Sequence, residues 1–207
     1  MRTPSHMSMG SRADEGRTPR FARGKARAAA LRAAAGQVIA ERGYEAATMT
    51  EIAARAGASI GSLYQYYPTK ELIAAEVHAE YLDELDQALA GLGMESLTPA
   101  AMSDALFDTL TVFLARYPAF PALAARRDIE TARKLASRAR LEESLEQALA
   151  STRPRLPPEV MPGLAVMLLQ QIKMVVALEA SGREEDRQAI DHIHRMLRRY
   201  LEHLVAE

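Results

Sequence analysis

Three tyrosine side chains, Tyr64, Tyr66 and Tyr67, lie within four positions of one short segment. A tyrosine hydroxyl can hydrogen-bond to a phosphate oxygen, and a tyrosine ring can pack on a sugar. Pro68 ends the segment, because proline lacks the backbone donor that a continuing helix needs. So short a helix buries little surface. The tyrosines therefore indicate either contacts with a phosphate-bearing partner or packing of all three rings inside a helical domain.

The elements that would position these tyrosines are two short helices. Residues 48–51, Thr-Met-Thr-Glu, form a capping box that starts the first helix, and Gly57 ends it. Ser59 is a good N-cap for the second helix, which is predicted over residues 60–66. A helix, a glycine-containing turn and a second helix, preceded by a basic helix, are typical of a helix-turn-helix, whose second helix enters the major groove of DNA.

The second helix divides into an inner and an outer face. Leu63 and Tyr67 are spaced i, i+4 and are predicted to face the core. The residues left for the outer face are Ile60, Ser62, Tyr64, Gln65 and Tyr66. One ring would then anchor the helix while two touch the DNA backbone.

Charge is distributed unevenly along the chain. Residues 1–32 hold eight basic and two acidic side chains, whereas the whole chain of 207 residues has a net charge of −1. A basic end on an acidic body favours a polyanion partner at that end, although a solvated tail with incidental arginines has the same composition.

Composition and periodicity predict an all-α protein. Ala, Leu, Glu and Arg dominate, and no strand pattern is found. We expect a disordered basic arm over residues 1–20, and then an N-terminal three-helix helix-turn-helix DNA-binding domain over residues 21–68. A larger C-terminal helical domain is expected over residues 69–207, with a fourth helix over residues 70–89 joining the two domains; the family resemblance given next implies that this domain serves dimerisation and ligand binding.

Residues 28–75 resemble the DNA-binding domain of the TetR (tetracycline-repressor-like) family of bacterial transcription regulators. The resemblance rests on an Ala-Ala pair, "ERGY", the Thr-capped second helix, "IA", "AG", "LY-Y-Y" and "KELI". It implies a homodimeric repressor that binds a palindromic operator on double-stranded DNA and is released by a small-molecule effector. The alternative is a helical-bundle enzyme or carrier without DNA binding.

The resemblance also implies roles for single residues. Thr48, Tyr64, Tyr66 and Lys70 correspond to phosphate contacts, and Gly61 and Ser62 to close-approach positions near base edges. Gln65 is the expected base reader, since its amide can pair with adenine through two hydrogen bonds. Further contacts are expected from Arg27, to flanking phosphate, and from Ile60, to a thymine methyl group.

Four positions depart from the family pattern, and two of them, Ile39 and Tyr67, stand where phenylalanine is usual. Ile60 stands where a polar or basic residue is frequent. Gly36 occupies a usually aliphatic site in the first helix, a choice that weakens a helix by about 1 kcal/mol.

The last two helices are expected to form a four-helix bundle with those of a second copy, as the resemblance implies. Charged substitutions at Val176 or Leu201 are expected to disrupt this dimer. An apolar cavity for an apolar or amphipathic effector is expected between the helices of residues 99–117, 129–150 and 159–180. Its candidate walls are Phe107, Phe113, Met167, Gln170 and Met174. The same residues would equally serve a filled core, and Gln170 could instead lie at the edge of the dimer face.

Several classes of function are disfavoured. The chain has no cysteine, which excludes disulfides and thiolate chemistry. We find no nucleophile–base pair and no metal-ligand cluster, so no catalytic residue, metal or cofactor is predicted. No signal peptide is expected, and the apolar run "LAVMLL" is too short to cross a bilayer, so a cytoplasmic location is expected.

Overall fold

The computed structural model describes residues 17–94, 96–126 and 131–206, and all of the regular secondary structure in these ranges is helical. The helices are α1 (Arg17–Ala46), α2 (Met49–Arg55), α3 (Ile60–Tyr66), α4 (Lys70–Leu92), α5 (Pro99–Arg116), α6 (Phe120–Ala124), α7 (Thr131–Ala150), α8 (Met161–Ser181) and α9 (Glu184–His203). A 3₁₀ turn, Pro158–Val160, precedes α8. The predicted all-α fold is confirmed.

The helices form two hydrophobic cores. The N-terminal core is built from α1, α2, α3 and the first half of α4, with Leu31, Ile52 and Leu63 fully buried in it. The C-terminal core is built from the second half of α4 together with α5, α7, α8 and α9. The predicted boundary at residue 69 therefore falls at the start of a helix that contributes to both cores.

The first helix begins earlier than the sequence pattern indicates. Residues 17–20 of the predicted disordered arm are helical, and residues 1–16 lie outside the described residues. The regular helix is interrupted at Gly43, whose φ of 75° and ψ of 162° are not helical. Glycine is the residue most often found directly after a helix end, so the sequence itself favours a helix end at Gly43.

Helix α6 belongs to the C-terminal half of the sequence but packs in the N-terminal core. Ala119 and Leu123 are buried among the residues of α1 to α4. Phe120, on the same short helix, instead joins the C-terminal core, where it packs edge-on against Phe113 with the ring centroids 4.9 Å apart. Helix α6 thus joins the two cores, a role that the sequence analysis assigned to α4 alone.

Gly36 of α1 lies beside the Tyr81 side chain of α4. A Cβ atom added at Gly36 would lie 2.2 Å from the Tyr81 hydroxyl of α4. The departure from the usual aliphatic residue is therefore explained by the tyrosine that occupies the space above it. Burial raises the pKa of the Tyr81 hydroxyl above its ordinary value.

Helix α8 is the most apolar of the described helices. Together with the preceding 3₁₀ turn it is long and apolar enough to cross a membrane by length and composition, which the short run "LAVMLL" did not indicate. Its inner face, including Leu164, Leu168 and Val175, is buried in the C-terminal core. A core helix of a helical bundle has the same length and composition.

Candidate nucleic-acid interface

The turn between α2 and α3 has a geometry that favours glycine. Gly57 adopts a φ of 59°, in the left-handed region that other residues rarely enter. The Ala58 amide donates to the Ala53 carbonyl at 2.9 Å, and the Gly57 amide donates to the Ala54 carbonyl at 3.1 Å. These two bonds form a Schellman motif, which ends α2 and sets the direction in which α3 begins.

Helix α3 is anchored from one side and exposed on the other. Leu63 is fully buried and Tyr67, at its C-terminal cap, is nearly so. Ile60, Tyr64 and Tyr66 are 40%, 48% and 39% exposed. The predicted division into an inner and an outer face is confirmed.

The remaining outer-face positions of α3 differ in exposure. Gln65 and Gly61 are exposed, and a Cβ added at Gly61 would meet no atom within 4 Å. Ser62 is half-buried, and its amide donates to the Ser59 hydroxyl at 3.2 Å. The protein interior therefore does not require glycine at position 61, so any requirement for a small residue there comes from outside the chain.

Tyr67 is held by a polar network as well as by packing. Its hydroxyl accepts a hydrogen bond from Arg32 Nη1 at 3.2 Å, and Arg32 Nε donates to Glu80 at 2.7 Å. Partial burial lowers the pKa of Arg32, but its hydrogen bonds to Glu80 and Tyr67 outweigh this effect and raise that pKa above its ordinary value. The network links α1 and α4 to the end of α3 and fixes the orientation of α3.

Thr48 caps α2 as predicted. Its hydroxyl accepts from the Glu51 amide at 3.2 Å, and its own amide donates to the Glu51 carboxylate at 3.1 Å. The Thr48 hydroxyl also donates to the same carboxylate at 2.8 Å. These hydrogen bonds from Thr48 lower the pKa of Glu51. Because the hydroxyl proton is already used, a phosphate contact by Thr48 would require it to leave Glu51.

Lys70 lies in a different environment from the one that the sequence analysis assigned to it. Its ammonium group donates to the carbonyl oxygens of Tyr44, Glu45 and Ala47 at 3.0, 3.1 and 3.2 Å. An ammonium group has three protons, and here all three are used at the end of α1. Lys70 therefore joins α4 to α1 in this structure and has no donor left for a phosphate.

The N-terminal part of α1 runs beside the helix-turn-helix. Half-buried Arg27 donates to the Gly57 carbonyl at 3.4 Å, in the turn between α2 and α3. A Cβ at Gly24 would lie 3.8 Å from the Tyr66 hydroxyl. Arg27 and Tyr66 therefore belong to one continuous surface, together with the exposed residues of α3.

The structure also places Arg126 at the junction of the two cores, which sequence reasoning missed. Its guanidinium lies 3.8 Å from the centre of the Tyr44 ring and 2.5 Å from the Glu45 carboxylate. Arg126 follows α6, whereas Tyr44 and Glu45 lie at the end of α1. Eighty-one positions separate Arg126 from Glu45, so no local pattern could have paired them.

The C-terminal core contains a small cavity of about 20 Å³, part of which is open to solvent. Aliphatic side chains from α5, α7, α8 and α9 line it, together with Phe107 and Gln171. Its position between α5, α7 and α8 agrees with the predicted one, and α9 adds a fourth side.

Most of the predicted cavity walls lie elsewhere. Phe113 is buried against Phe120, and Met167 packs on the core without lining the cavity. Gln170 and Met174 are exposed on the opposite face of α8, because one residue of displacement on a helix rotates a side chain by about 100°. Phe107 is the predicted wall that lines the cavity.

The last two helices carry apolar side chains on their outer faces as well. Val166 and Met174 of α8, and Met196 and Tyr200 of α9, are between 42% and 68% exposed. Val176 and Leu201, which the sequence analysis assigned to an outward face, are buried in the C-terminal core. That assignment was wrong because α8 is apolar on several sides, so that periodicity alone does not distinguish its inner face from its outer face.

Within the described ranges, no group of three or more His, Asp or Glu side chains is arranged to hold a metal ion. His194 and Asp104 approach to 2.9 Å, and Arg198 pairs with the same carboxylate. These three residues form a polar cluster between α5 and α9.

Comparison with known proteins gives one family match. Residues 31–77, from the middle of α1 to the middle of α4, match the family described as bacterial regulatory proteins, tetR family. The matched segment includes the capping box, the turn and the whole of α3. A search of curated proteins found no match.

Solved structures share the fold over most of the chain. A TetR-like transcriptional regulator from Rhodococcus sp. RHA1 is 24% identical, with a TM-score of 0.61 over 85% of this chain and 96% of that chain. A regulator of the TetR/AcrR family from Thermobifida fusca YX-ER1 is 20% identical, with a TM-score of 0.62 over 83% and 96% of the two chains. The regulator FadR from Bacillus subtilis, solved in complex with stearoyl-CoA, is 17% identical, with a TM-score of 0.61 over 81% and 96%.

Proposed function

We propose that the chain is a regulator of the tetR family, whose model matches residues 31–77, and that it is a homodimeric repressor released from a palindromic operator by a small molecule. The observation that carries this proposal is helix α3. It is fixed by Leu63, Tyr67 and the Arg32 network, yet it leaves Tyr64, Gln65 and Tyr66 in solvent. A rigid helix with exposed hydrogen-bonding groups is what reading a DNA groove requires.

Base recognition is assigned to Gln65, and backbone contacts are assigned to Tyr64, Tyr66 and Arg27. The proximity of Arg27 to the turn places its charge beside α3, where flanking phosphates would lie. Thr48 and Lys70 are assigned a structural role next to the interface. Their polar groups form hydrogen bonds within the protein, Thr48 to Glu51 and Lys70 to the end of α1.

The dimer is proposed to form through the outer faces of α8 and α9. Four large apolar side chains are exposed there, Val166, Met174, Met196 and Tyr200. A second copy related by a two-fold axis would cover the same patch on each chain. A two-fold protein presents two α3 helices, and these would match two half-sites about 34–36 Å apart.

An effector is proposed to act from the cavity in the C-terminal core. Two routes lead from there to the DNA-binding domain: α4, which is shared by both cores, and α6, which contributes Phe120 to one core and Leu123 to the other. An effector lowers operator affinity only if it binds one conformation of the dimer more tightly than the other. The favoured conformation must be the one in which the two α3 helices no longer fit the two half-sites.

The similarity to FadR, which was solved in complex with stearoyl-CoA, does not extend to a ligand for this chain. An acyl-CoA carries several phosphate charges and a long chain. The residues described as lining the cavity in this chain are uncharged, and the cavity is small. We therefore do not propose an acyl-CoA for this chain.

The test of DNA binding is a titration of the purified full-length chain with random and with selected DNA. We expect affinity for random DNA to fall by about 10³–10⁵ between ~50 and ~200 mM salt if six to ten phosphates are contacted. Repeated selection from a random pool should enrich a sequence with two-fold symmetry. Binding that does not depend on salt, or a pool that never enriches, would contradict the proposal.

A further inference from the structure

We propose that Arg126 is a positioning residue that holds the DNA-binding domain at one angle to the C-terminal domain, and that it thereby sets the distance between the two α3 helices of a dimer. The inference rests on the proposed function and deepens it, because that distance decides which half-site spacing an operator must have. It is carried by the contacts of Arg126 with Tyr44 and Glu45, which cross the junction of the two cores.

The backbone of Arg126 is attached to α6. Its amide donates to the Leu123 carbonyl at 3.2 Å, at the end of that helix. Phe120, at the start of the same helix, is buried in the C-terminal core. A displacement of α6 relative to α1 therefore moves Arg126 away from its partners.

The partner ring of Arg126 is held firmly inside the DNA-binding domain. Tyr44 is 6% exposed, and its hydroxyl donates to the Glu71 carboxylate at 3.3 Å. The Lys70 ammonium group lies 4.5 Å from the centre of the Tyr44 ring and also donates to carbonyl oxygens at the end of α1. The ring is thus fixed to both α1 and α4, and a contact with it defines the position of the whole DNA-binding domain.

The contacts of Arg126 are directional, whereas the other contacts of α6 with the N-terminal core are apolar. Apolar burial has no preferred direction, so it opposes separation more than sliding. The Arg126 guanidinium lies 3.8 Å from the ring centre and 2.5 Å from the Glu45 carboxylate, and this planar group needs a defined orientation to make both contacts. The Glu45 side chain is 85% exposed, so the buried ring supplies the larger share. Removal of Arg126 should therefore loosen the angle between the domains and leave both cores folded.

The angle is measured first without DNA. The chain has no cysteine, so Ala54→Cys in α2 and Val112→Cys in α5 give two unique sites for nitroxide labels, and both positions are exposed. The labelled chain is mixed with an excess of unlabelled chain, and double electron–electron resonance gives the distribution of distances between the two labels. We expect a narrow distribution with Arg126 present and a broader one in Arg126→Met. Thermal unfolding verifies the fold, and Arg126→Gln is the second variant if methionine impairs it.

The consequence for DNA is measured with operators whose half-sites lie a base pair closer together or further apart than in the selected sequence. The wild type should bind these altered operators more weakly. Arg126→Met should reduce this penalty by a factor of about 2–30, the factor that corresponds to one cation–π contact. Base preference within each half-site should stay the same, because the residues of α3 are unchanged.

Arg42→Met is the matched control. Arg42 is an exposed arginine near the end of α1, and its guanidinium lies 3.9 Å from the Glu51 carboxylate. Both partners belong to the DNA-binding domain, so the substitution removes the same charge without touching the junction. It should leave the distance distribution and the spacing penalty as they are in the wild type.

Three results would overturn the inference: an unchanged distance distribution in both Arg126 variants, an unchanged spacing penalty, or equal effects of Arg42→Met and Arg126→Met. A uniform loss of affinity for every spacing in Arg126→Met belongs to the second of these, and would mean that Arg126 contacts DNA itself. The distance measurement also separates this inference from the proposed function. If Arg126→Met broadens the distribution but no two-fold operator is ever selected, the proposed function fails and the positioning role of Arg126 stands.

Discussion

Tyr64 and Tyr67 are three residues apart on the same short segment, yet they have opposite surroundings. Tyr67 is buried and accepts a hydrogen bond from Arg32, whereas Tyr64 is 48% exposed. The i, i+4 spacing of Leu63 and Tyr67 was sufficient to predict this division from the sequence. Spacing did not reveal that the Lys70 ammonium group is hydrogen-bonded within the protein. Its three acceptors are backbone carbonyl oxygens, which a residue of any type provides.

The exposed residues of α3 should differ in what they contribute to binding. We expect Gln65→Ala to reduce base preference at one operator position by roughly 1–3 kcal/mol, since a bidentate amide contact would be lost. Tyr64→Phe should weaken binding to all sequences alike, because a hydroxyl on a phosphate carries no sequence information. Affinities for a panel of single-base operator variants measure both effects. A sequence preference altered by Tyr64→Phe but not by Gln65→Ala would reverse the assignment.

Lys70 should act on stability rather than on phosphate binding. Lys70→Met removes three charge-assisted hydrogen bonds to the end of α1, and we expect a loss of about 1–3 kcal/mol in the free energy of unfolding.

Denaturant titration measures the Lys70 effect, and DNA affinity at several salt concentrations separates the two interpretations. A side chain that contacts a phosphate changes the dependence of log affinity on log salt by about one unit when it is removed. If Lys70→Met leaves the free energy of unfolding unchanged and reduces the salt dependence of DNA affinity by this amount, Lys70 contacts a phosphate and not the end of α1.

Helices were more predictable than the contacts between them. Threonine and serine caps start α2, α3, α4 and α5 where the sequence predicts, because a cap is a local interaction over three residues. The start of α1 was missed, since its first turns are rich in arginine, contain a proline and a glycine, and have no apolar periodicity. The insertion of α6 into the N-terminal core was also missed, because it depends on contacts between distant parts of the chain.

The approach of α1 to α4 gives a prediction at the scale of these two helices. An alanine within a helix is normally more stable than glycine by about 1 kcal/mol. At Gly36 the new Cβ would lie 2.2 Å from the Tyr81 hydroxyl, so we expect Gly36→Ala to destabilise the protein by about 1–3 kcal/mol instead.

Tyr81→Phe removes the clashing oxygen, so Gly36→Ala should be much less harmful in that background. Thermal and denaturant unfolding of the four proteins of this double-mutant cycle measure the coupling between the two positions. Gly36→Ala that is as stable as the wild type would show that Tyr81 moves aside at little cost.

Across the whole molecule, two features favour a two-fold assembly. Basic residues concentrate in the N-terminal 32 positions, and large apolar side chains are exposed on α8 and α9, in the other domain. Pairing through α8 and α9 would hold two basic ends on one DNA duplex. Sequence patterning identified these helices but not their outer faces, since the run from Leu164 to Leu178 is apolar almost throughout.

The exposed positions, rather than Val176 and Leu201, are therefore the ones that test the dimer. A glutamate at either buried position would disrupt the core and would not report on assembly. Met174 and Met196 are 45% and 68% exposed, so Met174→Glu and Met196→Glu should leave the monomer fold intact. In the dimer each would bury an unpaired charge, and we expect both variants to sediment as monomers. Their operator affinity should fall by orders of magnitude, because the two half-sites would no longer be bound together.

Val112→Glu is the matched control, since Val112 is an apolar side chain of α5 that is 67% exposed and lies outside the proposed interface. It should sediment as a dimer and bind the operator as the wild type does. Sedimentation velocity gives the oligomeric state, and circular dichroism at increasing temperature verifies that each variant is folded. If the wild type sediments as a monomer and still binds the operator tightly, the proposed assembly is wrong. If the wild type is a dimer and both methionine variants remain dimers, the copies associate through another surface, and the exposed faces of α8 and α9 have a different role.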